Sequence, residues 1–412
     1  MKILTIMLSI FFTIPALAAG PYVAWSVPTA ANPVSVAVNS GSTSIFVGGS
    51  NVEKFNSAGG RLWYLLASSA GVATDGSSAY YLGLNKISKL STLGVLIYGP
   101  MSTDVAPVAV TADSAGNTYV ACSGANTINK FSNTGALVWS VPTAGLPYSL
   151  TLDNLGNIYV GNYTGGSLQK FNTATGSIIW TYPGLSNPRS VSTDQSGNIF
   201  VACFGDNTIK KLDPAGTLLQ SVPTGSGPIS VAVDTIGNAY VACYNSNTIQ
   251  KFDNNLNFQW STPTGTGPIS VAVDGGPVAN IYVVNYGSNT LTKYGQTCTS
   301  PRFPAGWQTP GSFAAGQKIQ ATDVNSLRTD IDLMRSNAGL SACVGSFYSQ
   351  SIVQGAKIKA ADMTEMRGCV LQVYDTCGIS RPANSVNTSA VPGTQIKSTE
   401  WVELWTAIAN AP

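Results

Sequence analysis

The feature that most constrains this chain is a seven-fold internal repeat. An aspartate recurs as Asp75, Asp113, Asp153, Asp194, Asp234 and Asp274, with Asn39 in the first copy, at steps of 36, 38, 40, 41, 40 and 40 residues. The copy from Val222 to Trp260 contains four short apolar runs, ISVAV, NAYVAC, TIQKF and FQW, each bounded by Gly, Asn, Asp or Pro. Such runs read as consecutive antiparallel strands. One sheet of this size cannot bury both its faces, so the copies must pack on one another. Four strands at a period near 40 fit a propeller blade, and the spacing predicts an all-β, seven-bladed propeller over residues 20–296.

Recurring positions have physical reasons. Asp followed three residues later by Gly-Asn (Gly116-Asn117, Gly156-Asn157, Gly197-Asn198, Gly237-Asn238) predicts a tight turn between the first two strands, since Asp can hydrogen-bond its own turn backbone and Gly and Asn accept positive φ. Phe46, Tyr119, Tyr159, Phe200, Tyr240 and Tyr282 fall in the second strand, where flat rings fill the wedge between blades. Trp63, Trp139, Trp180 and Trp260 mark the fourth strand, with Ile97 and Gln220 at that place in copies two and five. A lysine recurs in every third strand: Lys54, Lys89, Lys130, Lys170, Lys211, Lys251 and Lys293. The structural reading lays each stem on apolar neighbours and brings the ammonium to an Asp or a turn carbonyl. The functional reading, a cationic ring for an anionic polymer, is weakened by the aspartates at the same rim.

Copy seven has no fourth strand after residues 290–294. Trp25-Ser26-Val27-Pro28 repeats Trp139-Ser140-Val141-Pro142 letter for letter. Residues 22–28 are therefore expected to pair into the last blade and close the ring, leaving no open edge there.

The pattern G-P-x-S-V-A-V-D-x-x-G-N-x-Y-V resembles NHL propeller repeats. IYVVNYGSNTLTKY (281–294) and IFVACFGDNTIKKLD (199–213) resemble the YVTN repeats of bacterial and archaeal surface proteins. The resemblance covers roughly residues 22–296 and implies a fold that serves binding scaffolds and enzymes alike. Enzymes on related propellers, such as the streptogramin-cleaving lyase and calcium-dependent lactonases, rely on His or on Glu and Asp clustered about a metal. This chain has no His, and Glu53 is the one glutamate in the repeat region. No Gly-x-Ser-x-Gly, phosphate loop or EF-hand pattern is present. Catalysis is disfavoured, and neither cofactor nor metal is expected.

Composition narrows the partners. Only 10% of residues are charged and the net charge is +2, so no broad basic field for nucleic acid exists. The loops after strand two and before strand one share the channel mouth, which would carry Asn162, Tyr163, Phe204, Asp206, Tyr244, Asn285 and Tyr286. Tyr148 and Arg189 stand where other copies have Val34, Val108, Ile229 and Ile269. Arg189 is the first choice for a functional residue, against the alternative of a solvated arginine. Tyr and Asn beside it suit a sugar or peptide. The expected function is an exported, non-catalytic binding or adhesion scaffold for protein, peptide or glycan. The alternatives are a self-associating subunit of a surface layer or filament, and a propeller enzyme.

Residues 1–19 read as a secretory signal peptide: a lysine, an apolar run, then Ala16-Leu17-Ala18. No transmembrane anchor is expected, and the chain is expected to be secreted, periplasmic or at the cell surface. Beyond residue 296 three units (315–335, 354–374 and 392–410) each read as a glycine turn, a short extended piece and an amphipathic helix. They predict a small, mainly α-helical domain over residues 297–412, resembling repeat modules at the ends of secreted bacterial proteins. Its cysteines, Cys298, Cys343, Cys369 and Cys377, are disulfide candidates, with Cys343 to Cys369 or Cys377 favoured. Zinc is the competing reading. Cys122, Cys203 and Cys243 share one repeat position, with Asn162, Asn285, Gly49 and Leu84 in the other copies, and are expected to be free, buried thiols.

Overall fold

A computed structural model describes residues 21–39, 43–274 and 279–295. The expected signal peptide and the expected helical domain, with Cys298, Cys343, Cys369 and Cys377, lie outside the described residues.

The described chain forms seven sheets of four antiparallel strands. Blades one to six are continuous in sequence: 35–65, 72–102, 107–142, 147–183, 188–223 and 228–263. Blade seven combines three strands over 268–295 with Tyr22–Pro28 as its outermost strand. That strand pairs Trp25 with Lys293, just as Trp139 pairs with Lys130. The expected closure is present, and the tryptophan in it occupies its repeat position.

Period-two alternation explains the core. In the second strand of blade six, Tyr240 and Ala242 face the cluster shared with blade seven, while Ala239, Val241 and Cys243 face the one shared with blade five. Each of the seven hydrophobic clusters likewise joins two neighbouring blades. Burying one blade's faces therefore requires both neighbours.

The repeated lysines are struts. Each lies over the second-strand ring of its own blade, 5.0 to 5.7 Å from the centroid. Lys54, Lys130, Lys170 and Lys211 donate to the carbonyls of Thr92, Thr173, Pro214 and Asn254, each in a turn of the next blade. Trp63, Trp139 and Trp180 donate their indole N–H to the first three of those carbonyls. Lys89 lies 3.6 Å from the Asp75 carboxylate. Burial lowers the ammonium pKa of Lys54, Lys211, Lys251 and Lys293.

Three expectations need correction. Asp113, Asp153, Asp194 and Asp234 hold the first turn as expected, but positive φ belongs to Gly116, Gly156, Gly197 and Gly237 alone. The following Asn instead donates both its backbone N–H and its Nδ2 to the aspartate carboxylate. In blade two, Tyr98 rather than Ile97 faces Lys89, because two register shifts absorb an extra residue. Gly83, not Leu84, occupies that blade's cysteine position, and Leu84 stands exposed at the hairpin tip.

Candidate functional site

The inner strands position the mouth. Their pairing slips once near the start, between Pro107 and Ala109, Pro147 and Ser149, Pro188 and Ser190, Pro228 and Ser230, and Pro268 and Ser270. The unpaired residues are Val108, Tyr148, Arg189, Ile229 and Ile269. A bulge re-aims the side chain it carries. Blades four and five thus present Tyr148 and Arg189 from positions where other blades present aliphatic residues.

The loops after the second strands are pinned. The N–H groups of Tyr163, Phe204, Tyr244 and Tyr286 donate to the carbonyls of Leu146, Asn187, Gly227 and Gly267. Leu146 and Asn187 take φ of 39° and 50°, where blades six and seven use glycine. Asn187 was not singled out by the sequence pattern. Its Nδ2 reaches the Tyr163 carbonyl at 3.4 Å, tying the two loops together. Its replacement of the glycine before Pro-Arg was the available sign.

These loops bring four expected residues together. The Arg189 guanidinium carbon lies 4.2 Å from the Tyr148 ring centroid, 5.3 Å from that of Tyr163 and 5.6 Å from that of Phe204. Tyr148 and Tyr163 are themselves 5.5 Å apart. Three rings around one cation form a cation–π frame. Nε of Arg189 is buried without a hydrogen-bond partner, and no ion pair to this arginine occurs among the described residues.

The other expected residues separate from this frame. Asp206 pairs with Lys210 at 3.1 Å and accepts from Thr208. Tyr244 packs beside Gly267, and Tyr286 is exposed in blade seven. Asn162 and Asn285 are fully buried, which corrects their expected place on the mouth surface. Asn162 donates to Ser167 and Gln169, and Asn285 to Thr290 and Thr292, inside their own blades. The strand pleat turns this position inward, and an amide there satisfies polar neighbours.

Reactive groups are scarce in this architecture. Cys122, Cys203 and Cys243 are free and buried, and burial pushes their thiols up to about 12, 12 and 11. A thiol so protonated at neutral pH is a poor nucleophile. The turn aspartates are occupied by backbone and asparagine donors. Among the described residues no three His, Cys, Asp or Glu side chains converge.

No protein-family model and no curated protein matches the chain. Among solved structures, hydrazine synthase of Kuenenia stuttgartiensis is 17% identical with a TM-score of 0.56, covering 65% of this chain and 96% of that one. Selenomethionine-substituted virginiamycin B lyase from Staphylococcus aureus is 14% identical with a TM-score of 0.58, covering 66% and 98%. At such identities the likeness is one of fold: the chain carries a seven-bladed β-propeller similar to those of both proteins.

Proposed function

We propose that this chain is an exported binding module whose ligand face is the propeller mouth at blades four and five. The observation that carries this reading is Arg189: a cation at a position that is aliphatic in blades three, six and seven, framed by three rings, with no acidic partner among the described residues. Aromatic and arginine side chains in one pinned cluster have the composition of binding hot spots. The NHL- and YVTN-like wording of the repeats fits a recognition scaffold. The test is a glycan and peptide screen with wild-type protein and Arg189→Ala. The variant should bind a hit at least about ten-fold more weakly, the scale of one lost charge-assisted hydrogen bond. Its melting temperature should stay close to wild type, because a lost cation–π contact of about 1 kcal/mol is offset by removal of a buried orphan donor. Unaltered affinity for every hit would refute the site.

A second reading, a self-associating surface subunit, is favoured by the outer strands. Leu62, Leu96, Leu137, Val138, Ile178, Ile179, Leu219 and Phe258 are all exposed there. Arg61 is the single charge on the seven outer strands, and it pairs with Glu53. Uncharged apolar edges lack the usual guard against edge-to-edge pairing. Sedimentation of wild type across a hundred-fold concentration range should show growing assemblies that Ile179→Lys with Leu219→Lys reduces. A concentration-independent monomer would remove this reading.

A further inference from the structure

Resting on the binding-module reading of this face, we propose that the group seated at Arg189 is a carboxylate borne on a sugar ring, so that the ligand is an acidic, uronate-containing oligosaccharide. Three features of the site converge on it.

The first is the state of the arginine. Nε is sealed behind the rings, whereas the two terminal amino groups are not among the buried orphan atoms and have no protein acceptor among the described residues. The side chain is held by Tyr148, Tyr163 and Phe204 before any ligand arrives. A guanidinium fixed in this way offers a planar fork of donors, and a carboxylate matches that fork with two parallel hydrogen bonds. Three ring centroids lie within 5.6 Å of the guanidinium carbon, and apolar neighbours strengthen a charge-assisted bond. Asp206, the acid in the loop that carries Phe204, is engaged by Lys210 and does not satisfy the arginine from within.

The second is the surface beside the cation. Tyr163 and Phe204 are half-buried, and their ring centroids lie 5.3 and 5.6 Å from the guanidinium carbon. A pyranose ring has a face of C–H groups that lies flat on an aromatic ring, while hydroxyls at its edge meet tyrosine or amide groups. Placing an acid and a flat C–H face on one ligand uses both parts of the site.

The third is what the backbone withholds. A peptide recognised as an added strand needs free main-chain donors at a sheet edge. Five main-chain donors near Arg189 are spent. Val191 N–H donates to Ser149 Oγ and Val231 N–H to Ser190 Oγ, each bridging two inner strands. The N–H groups of Tyr163, Phe204 and Gly205 donate to Leu146, Asn187 and Ser186 carbonyls. Recognition here falls to side chains, which favours a ligand read by its functional groups.

The test is calorimetric titration of the full chain with tetragalacturonate, its methyl ester, neutral galactotetraose, and a short peptide as free acid and as amide. Tetragalacturonate should bind, with the ester and the neutral sugar at least about ten-fold weaker, as expected when a charge-assisted bond is lost. Arg189→Ala should lower tetragalacturonate affinity by about 10- to 100-fold and leave that of the ester within about two-fold. Arg189→Lys should fall between, since an ammonium lacks the fork. Melting curves of both variants establish that the fold is kept. An ester that binds as well as the acid, or tetragalacturonate binding that ignores Arg189, overturns the carboxylate assignment. A peptide acid that binds more tightly through Arg189 overturns the sugar. If a neutral probe binds and depends on Arg189, the binding face stands and only the acid falls; if no probe depends on Arg189, both fall.

Discussion

Lys170 is a charged residue with 8% exposure, and its neighbours explain how it is tolerated. Its ammonium lies 5.2 Å from the Tyr159 ring centroid and donates at 3.1 Å to the Pro214 carbonyl of the next blade, to which Trp180 also donates at 3.3 Å. Lys170→Met keeps most of the packing and removes the charged donor. It should cost about 1–3 kcal/mol in denaturant unfolding, or roughly 2–6 °C in a domain of this size. An unchanged midpoint would mean that the strut is incidental. The structural role of this position was legible because seven copies kept it while aspartates kept the same rim. Arg189 and Tyr148 were legible for the opposite reason, as departures from an aliphatic position. The burial of Asn162 and Asn285 was not legible: an amide reads as surface, and only the pleat of a fully enclosed second strand shows that it faces polar neighbours within the blade.

At the scale of the element, the fourth strand of one blade is matched to the third turn of the next. Gly59, Gly94, Gly135, Gly176 and Gly216 all have positive φ. A Cβ on each would meet the ring of Trp25, Trp63, Tyr98, Trp139 or Trp180 at 2.9 to 3.2 Å. Glycine is needed there both for its φ and for the close approach of the ring. Blade five carries Gln220 in place of the tryptophan, and the matching turn residue in blade six is Leu256, at φ 59° and 2% exposed. Leu256 joins the cluster between those blades and fills the space that the ring fills elsewhere. The two exceptions therefore compensate each other. Gln220→Trp alone should overpack and cost about 1–3 kcal/mol. Leu256→Gly alone should cost about 2–4 kcal/mol by leaving a cavity. The double variant should recover a coupling of at least about 1 kcal/mol relative to the sum of the two. Additive losses in equilibrium unfolding would show that the sites are independent. Both letters stood in the sequence, but their relation crosses two copies and needs the geometry of neighbouring blades to be seen.

For the whole molecule, the decisive contact is the one that makes seven blades a ring. Tyr22–Pro28 is outermost in blade seven, and its Trp25 indole also donates at 3.0 Å to the Ser57 carbonyl of blade one. The same ring packs 6.2 Å from Tyr282 of blade seven and against Gly59 of blade one. One strand thus completes a sheet and an interface between the first and last blades. Its loss should propagate, because every interblade cluster depends on two neighbours and an opened ring leaves Leu291, Tyr282 and Val284 with a weakened cover. Closure was legible because Trp25-Ser26-Val27-Pro28 copies an internal segment letter for letter, whereas the ligand face depends on convergence between copies that no single repeat displays. Removing residues 20–28 should lower the melting temperature by at least about 6 °C, since about 3 kcal/mol or more of strand pairing and indole burial is lost. A synthetic Tyr22–Pro28 peptide should restore part of that loss in a concentration-dependent manner, as ligand linkage to the folded state requires. Peptide rescue would also show that the gap is a specific strand slot rather than general damage. A shortened protein that melts like wild type, or one that the peptide leaves unmoved, would show that the ring holds without its clasp.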